Sequence, residues 1–168
     1  MGALTLSLRV RQVTYQAIGM NSYELTREDG GELPPFSPGA HIDVHTEQGH
    51  VRQFSLCNDP DERHRYVIAV LRQENGSGGS IAIHASLFPP HRVTVGTPRN
   101  NFRLVEGAAR YILVAGGIGV TPLKSMVHRL ERSGAVDHRD LVLSDEERGE
   151  CHAAGVSRGT SGILDLGL

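Results

Sequence analysis

Tryptophan is absent from this 168-residue chain and aromatic residues make up only 5% of it, so the aromatic platforms that stack single-stranded nucleic acid are not expected. An excess of charge is missing too. The 17 Lys and Arg stand against 19 Asp and Glu, a net of -2, which removes the general attraction to DNA, RNA or anionic lipid. No apolar run is long enough for a bilayer, and the longest, Tyr111 to Val120, is interrupted by glycines. Met1 to Val10 lacks a basic start followed by an apolar stretch, so no secretion signal is expected. The two cysteines, Cys57 and Cys151, suit a reducing cytoplasm and supply no disulfide framework. They are also too few for a four-thiolate iron–sulfur cluster. Nine histidines are present, but neither His41, His45 and His50 nor His138, Cys151 and His152 have convincing zinc spacing, and no metal is expected. No Ser–His–Asp set is signalled.

What the chain does have is enough length for one domain, or one domain plus a fragment. Leu4, Leu6, Leu8 and Val10 alternate with polar residues, the period of a half-buried strand. Strands are also expected over Tyr15 to Thr26, His41 to Thr46, Val51 to Leu56, Tyr66 to Arg72 and Arg92 to Val95. A short helix, Ser80 to Leu87, is stopped by Pro89-Pro90. Six strands and one helix predict a small antiparallel, all-β Greek-key barrel ending near Leu104. The pattern changes at Tyr111 to Ala115, a continuous apolar run typical of a buried parallel strand. Pro122 then suits a first helical position, with Leu123, Met126, Val127 and Leu130 at helical spacing. This is the first β–α unit of an α/β nucleotide-binding domain. Beyond Ser133 only Leu141-Val142-Leu143 offers another strand, and a poorly packed tail is expected.

Three stretches carry chemistry. Arg52-Gln53-Phe54-Ser55-Leu56 places a guanidinium, which can bond two phosphate oxygens at once, near the end of a strand. Ser55 could reach a polar ring atom, and Phe54 could lie along a flat ring. Gly76-Ser77-Gly78-Gly79-Ser80 precedes the helix, offering unbonded amides at the positive end of its dipole. Gly116-Gly117-Ile118-Gly119 lets a backbone come close to a pyrophosphate or ring, without the spacing of the Rossmann fingerprint. Thr121 could donate a hydroxyl bond across the domain boundary. Each has a plainer alternative: an exposed strand arginine, a core phenylalanine, a flexible loop and a tight strand–helix turn.

Taken together, Pro38-Gly39-Ala40-His41-Ile42-Asp43-Val44-His45, Arg52 to Pro60 and Tyr66 to Arg72 resemble the phthalate dioxygenase reductase family, which includes the vanillate O-demethylase reductase components. Gly78-Gly79-Ser80, Pro98 to Phe102 and Gly116 to Pro122 continue the match in order, so that it covers about residues 4 to 132. The wider group is the ferredoxin-reductase-like superfamily. The resemblance implies a flavin barrel (residues 1–105) binding FMN rather than FAD, then an NADH domain and a plant-type [2Fe-2S] domain. Such proteins take hydride from NADH and pass electrons to a terminal oxygenase, here an aromatic oxygenase or demethylase of Rieske type. Carried over, Arg52 with Gly78, Gly79 and Ser80 would hold the phosphate. Gln53, Phe54, Ser55 and the backbone around Val70 would line the ring, with Ser55 near the hydride-accepting N5. Gly116, Gly117, Gly119 and Thr121 would sit where nicotinamide approaches.

The chain departs from the family pattern in three ways. Phe54 stands where Tyr is typical, removing one hydroxyl contact. Ser77 stands where Arg is frequent, removing a positive charge. Residues 106–168 are expected to be a truncated nucleotide domain, 133–168 without family match, and no C-x4-C-x2-C cluster motif occurs. The expected activity is therefore that of an NADH:FMN oxidoreductase in incomplete form. The alternatives are a non-catalytic flavin-binding remnant or interaction module, and an unrelated barrel that binds another anion.

Overall fold

The alternating apolar residues at the start of the chain become β1 (Thr5–Ala17), with Leu8 and Val10 fully buried. Leu4 lies outside it and is 73% exposed, because strand pairing begins at Thr5 opposite Gly96. The computed structural model describes residues 4–108, 111–133, 139–145 and 150–155, the last two stretches as backbone. β1 runs further than its alternation suggests. Register shifts between Val10 and Gln12 and between Tyr15 and Ala17 break the period, so the run from Tyr15 is divided between two strands. The chain reverses at Ile18-Gly19, where Gly19 takes φ 72°, and β2 (Met20–Thr26) returns beside β1.

β3 (His41–His45) and β4 (Val51–Ser55) form the next hairpin, followed by β5 (Tyr66–Leu71), α1 (Gly79–Ser86) and β6 (Arg92–Gly96). All pair antiparallel in the order β4-β3-β6-β1-β2-β5. The two outer strands meet at a single bridge, Leu56 to Ile68, with the Cys57 amide donating to the Val67 carbonyl at 2.8 Å. This closes the sheet into an antiparallel barrel. Its interior is filled by inward-facing residues of every strand, including Leu8, Tyr23, Ile42, Val44, Ile68 and Val95, with Ile83 and Leu87 from the α1 side.

The apolar run at Tyr111 becomes β7 (Tyr111–Gly116), followed by a 3-10 turn at Gly117–Gly119 and α2 (Val120–Arg132). Leu123, Met126, Val127 and Leu130 pack on Tyr111, Leu113 and Ala115, forming a second apolar cluster. On the opposite face of β7, Ile112 and Val114 remain 60% and 65% exposed. The structure extends further than a single β–α unit. β8 (Arg139–Asp145) pairs parallel with β7 and contains the suggested Leu141–Leu143 strand. β9 (Glu150–Gly155) pairs antiparallel with β8, and sequence reading missed it because Ala153, Ala154 and Gly155 give no apolar alternation. The rest of the tail expected to pack poorly lies outside the described residues. Among the described residues no helix is long and apolar enough to cross a membrane.

α2 is fastened to the barrel at one point of close approach. The Gly39 amide donates to buried Ser125 Oγ at 3.0 Å, and that hydroxyl donates to the Pro122 carbonyl. Gly39 has φ 88°, and a Cβ there would lie 1.9 Å from the Phe102 carbonyl oxygen and 2.8 Å from Met126 Cε. Arg132 adds ion pairs to Asp59 and Asp61. Gly39→Ala should therefore cost roughly 2–4 kcal/mol by combining backbone strain with a backbone clash. Urea unfolding checks this, and an unchanged midpoint would contradict the contact.

Candidate functional site

Continuing the antiparallel register past the Leu56–Ile68 bridge would pair Ser55 with Ala69 and Gln53 with Leu71. No ladder forms there: β4 and β5 are joined only by the isolated bridge and lie at the two ends of the sheet order. The strands splay, and a cleft of about 410 Å³ opens between them. Residues 52–55 of β4 form one wall, and Ala69 and Leu71 of β5 the other. The loop before α1 closes one end through Gln73, Gly76 and Ser77, with Gly79 and Ser80 at the helix start. Ile118, Gly119, Thr121 and Pro122, from the start of α2 and the turn before it, form a third side.

Arg52 dominates the polar end. Its Nη1 donates to the Val51 carbonyl at 2.8 Å and its Nη2 to Ser77 Oγ. The side chain lies directly over Gly79, where an added Cβ would be 2.6 Å from Nε and 2.7 Å from Cγ. Gly78, at φ 86°, turns the chain into α1, and its carbonyl accepts the Ala82 amide at 2.9 Å. The amides before that bond are the ones a helix leaves without an internal acceptor, and no acidic residue occupies the first turn. Ser80 Oγ accepts the Gln73 amide at 3.1 Å, holding the β5–α1 loop against the helix. A guanidinium and a helix N-terminus thus share one end of the cleft.

The other end is mostly apolar. Phe54 is half-buried and packs against the barrel core, opposite Ala69 and Leu71. Val70 faces the barrel interior, fully buried, so its neighbours line the cleft instead. His84 Nε2 donates to the Val70 carbonyl at 2.9 Å, which leaves Nδ1 to accept from Asn21 Nδ2 at 3.4 Å. Thr121 differs from expectation. Its hydroxyl donates to the Ile118 carbonyl at 2.9 Å, so its proton is used within its own turn.

The structure therefore brings Arg52, Gln53, Phe54, Ser55, Gly79, Ser80, Gly119 and Thr121 around one cavity. Val70, Gly78, Gly116 and Gly117 adjoin it in sequence without lining it. Sequence reading passed over Ala69, Leu71, Gln73 and Ile118. The signal for the first two was available, since residues flanking a buried strand residue face the opposite side. No carboxylate, imidazole or ammonium group lines the cleft among the described residues, and Arg52 is its ionisable side chain. Such a site can bind a flat ring carrying a phosphate.

The chemistry of these donors fits a flavin phosphate: one guanidinium, helix amides and hydroxyls at one end, apolar surface at the other. No family model matches the chain. It is 60% identical over 149 residues to the tert-butanol monooxygenase / tert-amyl alcohol desaturase reductase subunit of Aquincola tertiaricarbonis, covering 89% of this chain and 43% of that protein. It is 50% identical over 125 residues to the vanillate O-demethylase oxidoreductase of Pseudomonas putida, covering 74% of this chain and 39% of the relative. Among solved structures, phthalate dioxygenase reductase superposes with a TM-score of 0.78 at 43% identity, covering 84% of this chain and 43% of that one. That structure is described as modular, for electron transfer from pyridine nucleotides to [2Fe-2S]. The chain thus spans less than half the length of each of these three proteins.

Cys57, just past β4, is buried, and its Sγ lies 3.5 Å from the Ser55 carbonyl. Burial pushes its thiol pKa up to about 11, although the charge of Lys124 opposes the shift. The raised value means that the neutral thiol is favoured in the folded state. Its contribution to stability is complete below the unfolded thiol's pKa of about 8.5 and is lost as pH rises toward 11. At pH 8, iodoacetamide should modify Cys57 only after unfolding, as read by peptide mass spectrometry. Rapid native labelling at this position would contradict its burial.

Proposed function

We propose that this chain, a homologue of the phthalate dioxygenase reductase and vanillate O-demethylase reductase family, binds flavin mononucleotide as part of a reductase serving an oxygenase. The observation that carries this reading is the meeting of Arg52 with the N-terminus of α1 at one end of a cleft with apolar walls. Arg52 would neutralise the phosphate, with the amides of Gly79 and Ser80 completing its bonds. The ring would occupy the gap where β4 and β5 part, against Phe54, Ser55, Ala69 and Leu71. Strand edges left without a ladder there offer backbone bonds to its polar atoms. Phe54 contributes surface and no hydroxyl.

A bound flavin supplies hydride acceptance and the release of single electrons. The chain's own residues hold and orient it, keep water from one face of the cleft, and present one positive charge. Gly119 leaves open space on the third side, where a Cβ would meet nothing within 4 Å, and a nicotinamide nucleotide would approach there. NADH as donor, a terminal oxygenase as acceptor and a cytoplasmic location extend the same reading. A [2Fe-2S] centre would need ligands beyond the two cysteines of this sequence.

Titration with FMN, followed by flavin fluorescence, tests the proposal. Arg52→Ala should weaken FMN binding by roughly 10- to 100-fold, the value of a hydrogen-bonded charge. Equal affinity in the two proteins, or no binding of FMN by the unaltered chain, would overturn it. NADH-driven reduction of ferricyanide by the loaded chain separates a working reductase segment from a flavin-binding module without turnover.

A further inference from the structure

We infer, on the basis of the flavin reading above, that Ser77 is a positioning residue that seats Arg52 and so sets the preference for phosphorylated over unphosphorylated flavin. An arginine on a strand at a cleft mouth has several freely rotating bonds, and ordering it on ligand binding is costly. Here the side chain is held before any ligand arrives. One terminal nitrogen donates to the Val51 carbonyl and the other to the Ser77 hydroxyl. Its stem lies on the bare α-carbon of Gly79, within the space a methyl group would take. A guanidinium has five N–H donors, so these two bonds leave donors for a phosphate.

Ser77 sits between Gly76 and Gly78, so its hydroxyl is the side-chain polar group that this part of the loop presents to Arg52. A cation at position 77 would add attraction for an anion but would repel Arg52. A hydroxyl instead leaves a single guanidinium in a fixed pose. Recognition of phosphate then depends on how well that one side chain is placed. Gly79 serves the same seat from below, since any side chain there pushes Arg52 away from the helix N-terminus.

The measurement is the ratio of riboflavin to FMN dissociation constants for the full chain and its variants. Ser77→Ala should lower the ratio by roughly 3- to 10-fold, one hydrogen bond's worth of placement. Ser77→Thr, which keeps the hydroxyl, should hold the ratio within about twofold of the unaltered chain. Gly79→Ala should lower it at least as far as Ser77→Ala does. Riboflavin affinity should change less than FMN affinity in the Ser77 variants, because the effect acts through the guanidinium that faces the phosphate. A Ser77→Ala variant that keeps the full ratio would overturn the role of Ser77 while leaving the flavin reading intact. An unaltered chain that does not prefer FMN to riboflavin would overturn the phosphate reading itself.

Discussion

The arrangement depends on where the barrel stops being closed. Leu56 and Ile68 form the last pair between β4 and β5, and beyond them the strands separate instead of continuing a ladder. Each strand is already paired on its other side, β4 with β3 and β5 with β2, so the gap does not unravel the sheet. The cost of backbone groups left without ladder partners is concentrated at one solvent-facing opening, where a ligand or water can bond them. A buried core and a polar-edged cleft thus arise from the same two strands. Ile68 and Leu56 belong to the first, Ser55 and Ala69 to the second.

The third side of the cleft comes from a different part of the chain, held against the barrel by a hydrogen bond and close packing at Gly39. At Gly39 the barrel meets the Phe102 carbonyl and Met126 so closely that a methyl group cannot be inserted. The bond from the Gly39 amide to Ser125 is fully buried, and the Ser125 hydroxyl returns to Pro122, one of the lining residues. A hydrogen bond sequestered in this way fixes distance and direction together. The start of α2 is consequently held over the mouth of the cleft. Ion pairs from Arg132 to the largely buried Asp59 and the exposed Asp61 restrain the far end of the same helix, the second of them adding little energy.

Much of this was legible in the sequence, and the failures have identifiable physical causes. The alternation of Leu8 with Val10 and of Ile42 with Val44 located barrel strands, because one buried face imposes a period of two. β1 outran its pattern because bulges reset that period at Gln12 and Ala17. β9 carried no apolar alternation, since Glu150, Cys151 and His152 run into Ala153, Ala154 and Gly155. In the site, Arg52 and Gly79 could be suspected from chemistry, but their contact spans a strand, a loop and a helix start that only the folded chain brings together. Thr121 shows the reverse case. Its hydroxyl chemistry suggested a ligand contact, while its position at the start of α2 favours a local bond to Ile118. Ser77 read as a lost charge and acquires a role only through its contact with Arg52.

α1 is anchored at two points, one of them at the polar end of the cleft. Its first residue lies beneath the guanidinium of Arg52, and five residues on, His84 grips the carbonyl of Val70 between the two lining residues of β5. At 1.5 Å per residue, these two anchor points are on the order of 7–8 Å apart along the helix axis. The helix therefore works as a brace between the loop and the strand. Fixed at both points, the helix N-terminus beside Arg52 and the middle of β5 keep a constant separation.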